Sequence, residues 1–151
     1  MKRLFSMLLL CTLLFSGCRE PAAVRTEDPG LVARVNGEPI YQQDVERMKG
    51  NSGMTEEEAL QKRIDNKLLY AKIKAENRSM TDDEVKQSYK ALLKKLEPDT
   101  YEDGDEDAIT TEQLQELREI FMITQYKVEL GNTLDDVIRA LRSQANIEYF
   151  R

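Results

Sequence analysis

The sequence predicts a mainly α fold: about five helices, with a small antiparallel sheet pairing an N-terminal strand and turn with a C-terminal strand. Three observations predict it. Apolar residues recur at steps of three and four over most of residues 42–144. Thr-x-x-Glu and Thr-x-x-Gln starts precede three of these stretches. Short β-rich segments stand only at the two ends of the body.

The elements follow in order. Leu31-Val32-Ala33-Arg34-Val35 is a short strand, and Asn36-Gly37 supplies the positive φ values of a tight turn. Glu38-Pro39-Ile40-Tyr41 leads out of the turn; Pro39 lacks an N–H, so this second strand is brief or at an edge. A short helix over 44–49 stops at Gly50. Thr55 and Glu58 form a capping box, and behind it Leu60, Ile64, Leu68, Ala71 and Ala75 make the stripe of a helix of about twenty residues, widened by Leu69 and Ile73. Thr81 and Glu84 open a third helix with Val85, Tyr89, Leu92, Leu93 and Leu96 on its apolar face, ended by Pro98. Thr110 and Gln113 open a fourth, over 112–130, stopped by Gly131-Asn132. Thr133 and Asp136 begin a fifth, carrying Leu134, Val137, Ile138 and Leu141. Ile147-Glu148-Tyr149-Phe150 is the closing strand, a partner for 31–35.

The chain has 151 residues, 22 basic and 28 acidic, no His and no Trp. Without His there are no imidazole metal ligands, no Ser-His-Asp triad and no Cys-His pair. No residue set qualifies for catalysis and no cofactor is implied, so the chain is not expected to be an enzyme. The acidic balance argues against nucleic acid, whose phosphates call for a basic surface.

The N-terminus sets an expected compartment. Lys2 and Arg3 precede an almost wholly apolar run from Leu4 to Phe15, too short to span a bilayer permanently. It ends Leu14-Phe15-Ser16-Gly17-Cys18, which resembles the lipobox of bacterial lipoproteins. The resemblance implies that residues 1–17 are a signal peptide and that the Cys18 thiol carries the lipid. Phe15 departs from the usual aliphatic residue there. Residues 19–30, with Pro21, Pro29 and Gly30, are a tether that reaches about 40 Å at most. Residues 31–151 then form one domain, anchored to a membrane on its extracytoplasmic side, in a periplasm or at a cell surface. Cys11 leaves with the signal peptide, so no disulfide pair remains.

Val35-Asn36-Gly37-Glu38-Pro39-Ile40, a short helix, the 60–73 stripe and Met80-Thr81-Asp82-Asp83-Glu84-Val85 together resemble the N-terminal chaperone domain of the SurA and PrsA foldases, related to the trigger-factor C-terminal domain. The ending Leu141 to Tyr149 is also similar to the closing helix and strand of such domains. That family usually carries a parvulin prolyl-isomerase domain of some ninety further residues, characteristically with His. Here there is neither room nor His, so only client binding is implied.

Two segments are candidate sites. In 99–107 six acidic residues surround Gly104. Asp103, Asp105 and Asp107 have an alternating spacing that suits a hard cation, but that frame lacks the loop Gly and the final Glu of a Ca²⁺ loop, so no specific metal site is expected. A solvated linker extended by like charges accounts for it. In the fourth helix Ile120, Phe121, Met122 and Ile123 point around the whole circumference, and one buried stripe cannot hide all four. The expectation is an apolar groove lined by Leu69, Ile73, Phe121, Met122 and Tyr126. It would hold unfolded or newly exported polypeptides, without ATP or isomerase activity. The alternative is an adaptor lipoprotein docking one folded partner in an envelope complex.

Overall fold

The computed structural model describes residues 28–50, 52–96 and 108–150. Cys18, the tether up to residue 27 and the acidic segment with Asp103, Asp105 and Asp107 lie outside the described residues.

The fold is mainly helical with one small antiparallel sheet, as expected. Strands β1 (Leu31–Val35), β2 (Glu38–Tyr41) and β3 (Ile147–Tyr149) lie in the order β2-β1-β3, so the C-terminal strand closes on the N-terminal one. Val35 pairs with Glu38 on one side and Ile147 on the other. Asn36 and Gly37 take φ values of 51° and 87°, the left-handed pair that a two-residue hairpin turn requires. Asn36 does a second job: its N–H donates to the Asn146 carbonyl at 2.8 Å, and its Oδ1 accepts from the Asn146 N–H at 2.9 Å. The turn thus pins the start of β3. Pro39 sits on β2, at the sheet edge, opposite Arg34.

Helix α1 (Gln42–Lys49) begins two residues before the expected start, with Asp44 Oδ2 accepting from the Tyr41 N–H. Helix α2 (Glu56–Ala75) is the predicted twenty-residue helix, closed by the Thr55–Glu58 box. Its C-terminus was not legible in the spacing. Asn77 adopts φ 56°, while the Arg78 and Asn77 N–H groups return to the Ile73 and Lys74 carbonyls, a Schellman cap built on Asn instead of Gly. Helix α3 (Asp82–Leu96) and helix α4 (Thr111–Leu130) carry the other two predicted boxes, Thr81–Glu84 and Thr110–Gln113.

The expected count of five helices holds only approximately. Helix α1 has eight residues, and α4 runs into α5 (Leu134–Gln144) through a 3-10 turn at Gly131–Thr133. Gly131 ends α4 as expected, with φ 49°, and the 3-10 turn leads straight into α5; Thr133 stands at the start of α5 but makes no cap bond, its hydroxyl donating back to the Leu130 carbonyl.

Helix α2 is the spine. Its stretch up to Leu68 covers the sheet and α1, burying Ala59, Ile64 and Leu68 against Ala33, Val35, Ile40 and Val45. From Leu69 on it meets α4, burying Leu69 and Ile73 against Met122, Ile123 and Tyr126. Leu141 of α5 touches both clusters. Arg142 fastens α5 to α2, donating to Asp65 Oδ1 at 2.6 Å and Gln61 Oε1 at 2.8 Å. Among the described residues no helix is long and apolar enough to cross a membrane.

Candidate functional site

The expected groove is not an open trough. Leu69, Ile73, Met122 and Tyr126 do come together, but as closed core: none exceeds 8% exposure. Phe121 is half-buried and lies outside that cluster. The reason is helical geometry. Met122, Ile123 and Tyr126 fall within about a third of a turn on α4 and face the α2 pair Leu69 and Ile73, four residues apart. What remains open above Ile73, Met122 and Tyr126 is a depression of about 500 Å³, edged by Asn77, Arg78, Ser79, Glu84 and Gln125.

That edge is held by charge. Tyr126 Oη donates to Glu76 Oε1 at 3.0 Å, and Lys72 pairs with Glu76 at 2.8 Å. Arg78 pairs with Glu76 at 3.2 Å and Glu129 at 2.5 Å, with its guanidinium 4.9 Å from the Tyr126 ring centre. Burial, then the bond to Glu76, pushes the Tyr126 phenol above its ordinary value. The Lys72 and Tyr126 hydrogen bonds hold the Glu76 carboxyl below its own. Every charge here has a partner, and the arrangement ties α2 to α4.

The surplus apolar surface of α4 is on a neighbouring face. Glu116, Ile120, Ile123 and Lys127 recur at steps of four, three and four, so they form a stripe that shares the buried Ile123 with the inner one and carries Ile120 beyond it. Ile120 is 55% exposed. Helices α1 and α4 both pack on α2 and far less on each other. The gap between them is a cleft of about 440 Å³. Its apolar lining is Met48 from α1 and Ile120 and Ile123 from α4. Lys62, Arg63 and Asn66 of α2 line it too.

Ion pairs cross this cleft. Arg47 of α1 reaches Glu116 at 2.6 Å, and Arg63 of α2 reaches Glu119 at 2.8 Å. Arg63 Nε is buried with no hydrogen-bond partner. Lys127 is half-buried and donates to the neutral Asn66 Oδ1 at 2.7 Å. Burial, then the charge of Lys62, holds its ammonium below the ordinary lysine value. Such a lining can take an apolar side chain and an anionic group together. Among the described residues no group of three or more Cys, Asp or Glu side chains is placed to hold a metal ion.

Sequence reasoning missed Met48, Ile120 and Lys127 as site residues. The signal was present, since the 116-120-123-127 spacing is as regular as the buried stripe. Comparison with known proteins returns no match: no family model fits the chain, and no curated protein or solved structure is similar to it.

Proposed function

We propose that this protein is a membrane-tethered, extracytoplasmic holding module for unfolded or newly exported polypeptides, gripping them at the cleft between α1, α2 and α4. The observation that carries the proposal is Ile120, more than half exposed on the wall of a cleft that Met48 also lines, beside the buried Ile123. The Leu14-Phe15-Ser16-Gly17-Cys18 sequence supports a lipid anchor at Cys18, and the likeness of 31–151 to the SurA and PrsA N-terminal domain supports a client-binding role without isomerase chemistry.

The energetics suit holding and release. Covering a half-exposed Ile and Met with client side chains contributes about 2–3 kcal/mol. The entropy cost of association is at least of that order, so each contact is weak and reversible without ATP. Met supplies an adaptable surface that fits varied side chains.

The test uses the full-length chain in detergent, mixed with a chemically unfolded client whose aggregation is followed by light scattering. Wild type suppresses aggregation; Met48→Ser plus Ile120→Asp loses most of the suppression while the thermal midpoint stays within a few degrees. Full suppression by that variant overturns the assignment. A single stoichiometric partner in a detergent pull-down, in place of many exported chains, transfers it to docking of one folded protein.

A further inference from the structure

The cleft is chemically asymmetric. The Arg47–Glu116 pair bridges it at one end, and Lys127 stands eleven residues further along α4, about 16 Å away at 1.5 Å per residue. Ile120 and Ile123 lie between. The carboxylates near the cations are occupied: Glu119 by Arg63, Glu116 by Arg47, Asp65 by Arg142, and Asp44 by the Tyr41 N–H. Lys127 has only a neutral amide, and neither it nor Lys62 has an ion-pair partner among the described residues. A half-buried ammonium held this way favours an incoming anion, since pairing offsets the burial cost already incurred.

We infer that the cleft receives the C-terminal residue of a client, its α-carboxylate at Lys127 and Lys62 and its apolar side chain against Ile120, Ile123 and Met48. The inference rests on the polypeptide-holding reading and names what that site selects. One terminal residue supplies an anion and an apolar group on adjoining atoms, matching the adjoining cationic and apolar walls. A chain end seated at Lys127 leaves the Arg47–Glu116 pair, at the other end of the cleft, in place. The Arg63 Nε, a donor with no partner, lies in the same wall.

The test measures fluorescence anisotropy of the full-length chain in detergent with three labelled peptides of one apolar sequence. One ends in a free carboxylate, one in an amide, and one in an amide with an internal Glu. The free acid binds about tenfold tighter than either amide. Lys127→Gln, which keeps a donor for Asn66, removes that preference and leaves the amide peptide unchanged. Lys62→Gln, on an exposed side chain, reduces the preference and serves where Lys127→Gln fails to fold. Equal binding of acid and amide overturns the inference, as does an internal-Glu peptide that matches the free acid. If acid and amide bind equally and Ile120→Asp abolishes both, the inference falls and the holding function stands. If no peptide binds, both fall. If Lys127→Gln reduces adsorption to phosphatidylglycerol vesicles but not acid-peptide binding, the cations serve a lipid surface and the inference is overturned.

Discussion

On one face of α4, Met122, Ile123 and Tyr126 close against Leu69 and Ile73 of α2, and none is more than 8% exposed. On the next face round, Ile120 is left more than half in solvent between Glu116 and Lys127. Both faces belong to one helix with one cap. They differ in what stands opposite. The inner face meets a helix that presents its own apolar pair at matching spacing. The side face looks across a gap toward α1, which packs elsewhere, and the contact across that gap is ionic. Apolar residues on a helix therefore become core or surface according to the partner, and only the second kind is available to another chain.

The comparison breaks first in the core. Ile73→Ala removes a side chain that is fully enclosed on the inner face and costs about 2–5 kcal/mol in denaturant unfolding. A cost below about 1 kcal/mol shows that the inner face is not packed as described. Next, Thr81→Ala removes the hydroxyl that accepts from the Glu84 N–H at the start of α3, at a cost of about 1 kcal/mol. Tyr126→Phe keeps the ring and deletes the bond to Glu76, costing about 0.5–1.5 kcal/mol and leaving client holding intact. On the side face, Ile120→Asp changes unfolding free energy by about 0.5 kcal/mol or less, while the proposed function predicts that it weakens aggregation suppression. Arg47→Ala is the smallest, within about 0.5 kcal/mol, because both partners of its pair with Glu116 are more than half exposed.

Acid sharpens the same division. The Thr81 backbone N–H, then its hydroxyl, holds the Glu84 carboxyl below its ordinary value of 4.5, and Thr55 does the same for Glu58. A carboxyl depressed on folding contributes stability that is fully present above the unfolded value. That contribution is lost as pH falls through the lower folded value. The thermal midpoint therefore declines on acidification below about pH 4.5, and Glu84→Gln makes that decline shallower. A midpoint that holds steady into that range shows that the two caps carry no such linkage.

The helices were legible because their signals are local. A threonine with Glu or Gln three residues on satisfies orphan N–H groups within one turn, so Thr55, Thr81 and Thr110 marked their helices without reference to the rest of the chain. Thr133 marked the start of α5 as well, although its hydroxyl donates to the Leu130 carbonyl and makes no cap bond. The Schellman cap at Asn77 was missed because Asn, unlike Gly, does not announce a left-handed residue. In the site, the four-residue surplus in α4 was read correctly as more than one stripe can hide. Met122 and Tyr126 were then assigned to the outside, where Ile120 belongs.

What the sequence by itself determined is the set of elements and the hairpin turn at Asn36-Gly37, because capping, turn geometry and strand propensity act over a few residues. What only the tertiary structure decided is which apolar stripe of α4 is enclosed. That depends on where α1 and α2 stand relative to it, and burial is a property of the neighbour as much as of the side chain.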